Sequence, residues 1–152
     1  MTQLPVEKPI VIKRLEGISA ELKELHDLAH QNLSDFTSGS GWKLAQFHLH
    51  RALEGVFNIC SHILSRIPGG TATQYKEIAK KMGEFKLVPE EFANTQLVEM
   101  AKYRNRLVHF YAEVTPVELY KLLNEDLGDL DTFMSAIKEV LENPQDYDLL
   151  VE

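Results

Sequence analysis

Apolar residues recur at alternating spacings of three and four from Val11 through Leu15, Ile18, Leu22, Leu25, Ala29 and Leu33 to Phe36. A stripe of that period lies on one face of a helix, so one long first helix is expected. The stretch TSGSG at 37–41 closes it as a loop. A second helix is expected from about 42 to 66, with Ala45, Leu49, Ala52, Val56, Cys60 and Ile63 as its main stripe. Leu53, Phe57 and Leu64 widen that stripe, which predicts burial on two sides. IPGG at 67–70 is a break, and TATQ at 71–74 has capping-box spacing for a short helix ending near Gly83. Pro89 suits the first turn of the next helix, with Glu90 and Glu91 favourable at its positive end. That helix is expected to run to about Phe110. TPVE at 115–118 is a second capping box, opening a last helix to about Glu142. Leu119, Leu122, Leu123, Leu130, Phe133, Ile137 and Val140 supply its core face. No segment reads as a strand and no repeat is present. The expected fold is all-α, an antiparallel bundle of four long helices with one short extra helix. It forms a single domain over residues 1–152, with NPQDYDLLVE, from about 143, as a loose acidic tail.

Composition narrows the function. Of the 152 residues 44% are apolar and 26% charged, an ordinary globular balance, and the formal net charge is −7. An acidic chain does not attract phosphate backbones non-specifically, so any nucleic-acid chemistry needs a local basic site or a partner's help. The one cysteine, Cys60, allows no internal disulfide, which fits a reducing compartment. No apolar stretch approaches the roughly 18 residues of a membrane span. The opening MTQLPVEKPI lacks a signal-peptide pattern. A cytoplasmic protein with no membrane partner is expected.

The six histidines raise the question of a metal. His26 and His30 lie one turn apart on the first helix, a spacing that can hold one; His48, His50 and His62 lie on the second. No carboxylate or cysteine completes a recognisable ligand set, so water-facing histidines are expected, and no metal or cofactor. Cys60 sits in an apolar stripe with no neighbour that would lower its thiol pKa, which reads as a buried structural cysteine. IPGG is a turn and not a phosphate loop. The carboxylates of PEE and NED read as helix-end and surface charge.

The stretch YRNRLVHFY at 103–111 is denser in chemistry. Its bland reading is polar trim, since Arg and His near a helix C-terminus interact favourably with the dipole. Its chemical reading is constrained by geometry. Helix residues advance about 100° each, so Asn105 and His109 share a face. Arg104, Leu107, Val108 and Tyr111 share another, about 140° from His109. Arg104 and His109 therefore converge on one ligand only if the helix loosens near His109 or if two chains meet there. Cleaving RNA through its own 2′-hydroxyl needs a base, an acid and a cation beside the phosphorane, and no metal. Histidine suits the first two tasks and arginine the third. One chain offers one such histidine; two chains offer a pair.

Arg104, four residues, His109, one residue and Tyr111 resemble the Arg-x4-His-x-Tyr signature of the HepT-like branch of the HEPN superfamily. Asn105 matches the polar residue that commonly follows the arginine. VPEEFANTQLVEMAKYRNRLVHFY and VELYKLLNEDLGDLDTFMSAI resemble that family's third and fourth main helices, and RALEGVFNI part of its second. The resemblance implies an all-helical homodimer with paired motifs lining a cleft, acting as a metal-independent endoribonuclease toxin on RNA. It implies a minimal nucleotidyltransferase antitoxin as partner, which in some systems attaches AMP to the tyrosine. Carried over, Arg104 holds the scissile phosphate and His109 is the general acid/base. Asn105 orients His109 or the phosphate, and Tyr111 is the modification site. Phe110 stands where relatives often carry a polar residue. Arg106 adds a second arginine, able to contact phosphate or to pair with an acidic neighbour, and surface pairing is preferred. The alternative implied by the same resemblance is a non-catalytic dimer that binds a nucleotide or docks a nucleotidyltransferase.

Overall fold

The computed structural model describes residues 3–109 and 113–152. Its helices are α1 (Lys8–Ala29), α2 (Leu33–Ser38), α3 (Gly41–Leu64), α4 (Tyr75–Glu84), α5 (Glu90–Phe92), α6 (Val98–Val108), α7 (Pro116–Glu125) and α8 (Gly128–Glu142). One wide π turn, Ala93–Leu97, joins α5 to α6, and a 3-10 turn, Pro144–Tyr147, follows α8. Among the described residues the only extended pairing is an isolated parallel bridge between Val6 and Val151. The all-α expectation holds; its four long helices are subdivided by breaks.

Helix α3 is the central element. It packs on α1, α2, α4, α6 and α7. That explains why both its main stripe and the residues that widen it are buried, from Ala45 to Leu64. Its longest contact is with α1, whose Val11, Leu15, Ile18, Leu22 and Leu25 are buried. The two helices approach closely at Gly55, where an added Cβ would lie 2.8 Å from Ile18 Cγ1.

The expected single first helix is in fact two. The chain breaks at His30–Asn32, and Asn32 Oδ1 accepts the Asp35 amide at 2.8 Å to cap α2. The break takes Leu33 off the apolar stripe, where it is 43% exposed, and directs Phe36 fully into the core beside the Tyr120 ring. The Tyr120 hydroxyl donates to the Gln31 carbonyl at 2.8 Å across the same break. The expected last helix also divides, at Asp126 and Leu127 between α7 and α8. Its start is as expected: Thr115 caps α7, with its hydroxyl accepting the Glu118 amide at 3.2 Å and Pro116 in the first turn. Helix α4 starts later than TATQ implies, at Tyr75, and its N-cap Gln74 makes no side-chain cap bond. Pro89 is the residue before α5 and not inside it.

The ten C-terminal residues are a further correction. They are docked, not loose. Leu149 is buried, the Val6 amide donates to the Leu150 carbonyl at 2.8 Å, and the Glu152 amide donates to the Val6 carbonyl at 2.9 Å. The alternation of Leu149 and Val151 is what lets the tail put one residue into the core while its backbone pairs with the chain's start.

Candidate active site at the end of α6

The helix carrying the motif ends two residues sooner than periodicity implies. Val108 is the last residue of α6, and His109 is extended, with φ −108° and ψ 96°. Its amide still donates to the Asn105 carbonyl, at 3.1 Å, so the exit is abrupt. This is one of the two conditions under which Arg104 and His109 need not diverge. His109 is exposed at the surface. Tyr111, and Phe110 with it, lie outside the described residues.

Arg104 is held on three sides. Its Nε donates to Glu54 Oε1 of α3 at 2.5 Å, and its Nη1 donates to Asn105 Oδ1 at 3.3 Å. Its guanidinium carbon lies 4.0 Å from the centre of the Tyr75 ring, at the first turn of α4. Asn105 thus connects the two motif ends, its side chain accepting from Arg104 and its backbone carbonyl accepting from His109. Glu54 Oε1 is also 3.7 Å from His50 Nε2, one turn earlier on α3. That Nε2 atom is buried with no hydrogen-bond partner.

Arg106 faces elsewhere. Its Nη1 and Nη2 donate to the two carboxylate oxygens of Glu118, at 2.5 and 2.7 Å, and Nη2 also donates to the Glu113 carbonyl at 2.9 Å. The Tyr103 hydroxyl donates to the same carboxylate at 2.8 Å. Hydrogen bonding from Arg106 holds the Glu118 carboxyl below the usual range although burial opposes it. Burial first, and then Glu118, push the Tyr103 phenol up to about 12. This is a fork-to-fork pair that ties α6 to α7. Of the two uses open to Arg106, the structure displays pairing with a carboxylate.

The remaining candidates lie apart from this cluster. His48 contacts Glu21 across the α1–α3 interface, at 2.6 Å, where Arg51 also reaches the carboxylate at 2.7 Å. His62 Nε2 accepts the Glu7 amide at 3.0 Å. His30 Nδ1 donates to the His26 carbonyl at 2.6 Å. Among the described residues no three His, Cys, Asp or Glu side chains group as a metal site. Cys60 is wholly buried, and burial pushes its thiol pKa far up, which disfavours the thiolate. No helix among the described residues is long and apolar enough to cross a membrane. Beside Glu54, the α1–α3 interface opens as a cleft of about 380 Å³ that Lys13, Arg14 and Arg51 also line.

Sequence reasoning did not single out Glu54 or Tyr75, and read Glu118 only as the end of the TPVE capping box. Glu54 carried a faint signal, as a carboxylate one turn from His50 on a helix otherwise read as doubly buried. Tyr75 carried none, because only the packing of α4 on α3 and α6 brings its ring under Arg104.

Arg104 and Asn105 near the end of α6, with His109 at its exit, thus stand together in an all-α bundle, and the chain is a member of the HEPN superfamily. Within it the chain belongs to the HepT-like ribonuclease family, whose model matches residues 18–137. It is 26% identical over 137 residues to a tRNA nuclease HepT of Aphanizomenon flos-aquae (strain 2012/KM1/D3), covering 90% of this chain and 92% of that protein. The fold is similar to that of a tri-AMPylated Shewanella oneidensis HEPN toxin in complex with an MNT antitoxin. The TM-score there is 0.78 at 21% identity, over 86% of this chain and 97% of that one. A toxin–antitoxin crystal structure with AMP-PNP gives a TM-score of 0.78 at 20% identity, over 87% and 99% of the two chains.

Proposed function

We propose that this chain is the toxin of a toxin–antitoxin pair, an endoribonuclease that needs no metal and cleaves RNA by attack of its own 2′-hydroxyl. The observation that carries the reading is the helix exit at His109 in a HepT-like chain, little more than one helical turn after a fixed Arg104. Two copies meeting at this surface supply two histidines. One His109 takes the 2′-hydroxyl proton as O2′ attacks phosphorus; the other protonates the departing O5′. The products are a 2′,3′-cyclic phosphate and a 5′-hydroxyl. The Arg104 fork binds the phosphate oxygens as charge grows on the phosphorane. Asn105, linked to both ends of the motif, sets their relative position.

Tyr111 is the proposed control point. A nucleotidyltransferase antitoxin that attaches AMP there adds bulk and a phosphate charge beside the RNA site, blocking it sterically and electrostatically. The AMPylated relative supports this reading.

The test is cleavage of total and transfer RNA by purified protein with excess chelator, followed by analysis of the new ends. Undiminished cleavage with cyclic phosphate ends is expected, reduced at least 100-fold in Arg104→Ala and in His109→Ala. A correctly folded His109→Ala protein with full activity overturns the assignment. A dimer that binds nucleotide but cleaves no RNA leaves the non-catalytic alternative. Intact-mass measurement after co-expression with the partner is expected to show AMP increments that vanish in Tyr111→Phe.

A further inference from the structure

We infer that Glu54 and Tyr75 form a positioning clamp that holds Arg104 in the geometry its reaction requires; the inference rests on the endoribonuclease reading above. Neither residue touches RNA in this proposal. Both act through Arg104.

A free arginine side chain has many rotamers, and freezing it on the phosphate during the reaction would work against catalysis. Here that ordering is done beforehand. The Glu54 carboxylate takes the Nε donor at 2.5 Å, and the Tyr75 ring takes one face of the guanidinium at 4.0 Å. The Asn105 side chain takes one Nη1 donor at 3.3 Å. Among the described residues Nη2 has no hydrogen-bond partner, so the donors left over are grouped at the far end of the fork. A phosphate needs those donors.

The clamp is itself supported by the core. Tyr75 meets the Phe57 ring edge-on, with centroids 5.1 Å apart and planes at 82°. Phe57 is 1% exposed and so cannot move without disturbing the bundle. Glu54 and Phe57 lie three residues apart on α3, so one helix face supplies the carboxylate and the wall behind the tyrosine. Rigid elements holding a catalytic cation through a carboxylate and an aromatic face are what a preorganised site requires. A carboxylate placed here only to neutralise Arg104 would need no ring stacked against the guanidinium.

The experiment is single-turnover cleavage of an RNA oligonucleotide, with affinity measured separately on a 2′-deoxy-substituted oligonucleotide that cannot react. Glu54→Ala is expected to lower the cleavage rate about 10- to 100-fold with affinity changed less than threefold, and Glu54→Gln to recover most of the rate. Tyr75→Leu is expected to behave like Glu54→Ala, and Tyr75→Phe like the wild type. In an Arg104→Ala background, Glu54→Ala is expected to add no further loss. Loss of rate in Glu54→Ala that persists undiminished in Arg104→Ala, or no loss at all in an active protein, overturns the clamp. The Arg104 Nε–H resonance in ¹⁵N NMR gives a reading that needs no cleavage. It is expected to be slow to exchange in wild type and fast in Glu54→Ala. A fast-exchanging wild-type resonance overturns the clamp whether or not RNA is cut. A slow one beside absent cleavage leaves the clamp standing and removes the ribonuclease reading alone.

Discussion

Two arginines two residues apart on α6 end in opposite environments. Arg104 keeps part of its fork unspent, whereas Arg106 commits both Nη groups to Glu118. The second pair has a pH signature. The Glu118 carboxyl is held below its ordinary value of about 4.5 by the hydrogen bond from Arg106. A depressed carboxyl contributes stability that is complete above its unfolded value and is lost as pH falls through the folded one. Tyr103 runs the other way. Its phenol is raised from 10.0 to about 12, so its contribution is present below pH 10 and lost as pH rises through about 12. Glu118→Gln is expected to cost about 1 kcal/mol at neutral pH, since both partners are partly solvated. Its urea midpoint should converge with that of the wild type as pH falls below the carboxylate range, and its alkaline decline should be shallower. Parallel midpoint–pH curves for the two proteins would remove the network from any role in stability. At this scale the site was half legible. Arg104, Asn105 and His109 are neighbours in sequence, and their residue types carry the chemistry openly. Glu54 and Tyr75 are brought to Arg104 only by helix packing, which no local pattern encodes.

Among the elements, α1 and α3 decide the frame, and one glycine in each makes the opposite prediction to the other. At Gly55 a Cβ would sit 2.8 Å from Ile18 Cγ1, between two packed helices. Gly17, on the exposed side of α1, has nothing within 4 Å of its would-be Cβ. Gly55→Ala is therefore expected to destabilise by about 1–3 kcal/mol through overpacking. Gly17→Ala is expected to stabilise by about 0.5–1 kcal/mol through helix propensity. Thermal or urea unfolding of the two variants checks this, and changes of the same sign would show that the close approach at Gly55 is not what fixes the helix pair. The existence and faces of these helices were readable because an apolar stripe three and four apart reports one buried side. Their breaks were not. Leu33 and Phe36 continue the spacing of α1 across the turn at His30–Asn32, so periodicity passes straight over it. The signal that was present is Asn32 followed by Asp35, a cap whose side chains also bond each other at 3.0 Å. The late stripe of leucines similarly hid the break at Asp126 and Leu127. The exit at His109 matters most, and periodicity misplaced it, because the apolar Leu107 and Val108 read as a helix still under way.

The whole molecule is acidic, at −7, yet the proposed substrate is a polyanion. The two facts are compatible if few phosphates are neutralised and the rest of the surface contributes no attraction. At the candidate site each chain presents one partly unspent fork among the described residues, that of Arg104, because the neighbouring Arg106 is committed to Glu118. The proposed dimer would then neutralise about two phosphates, and for a single strand the slope of log K against log salt is about −0.7 per phosphate, or roughly −1.4 in all. Long-range repulsion from the acidic surface strengthens as salt is lowered and flattens the slope further. The expected result is weak salt dependence for binding of a 2′-deoxy-substituted RNA between about 50 and 200 mM salt, the reverse of the steep loss shown by proteins with 6–10 phosphate contacts. Arg104→Ala is expected to remove most of what slope there is. A wild-type slope steeper than about −4 would mean that other cations carry the RNA. Lys13 and Arg14 of the α1–α3 cleft would be the first to test, because they line the same cleft as Glu54. A shallow slope has a further consequence for control. Where so little electrostatic attraction holds the substrate, one AMP phosphate at the proposed Tyr111 site would offset the charge of one Arg104, so a single modification per chain is expected to be enough to weaken binding.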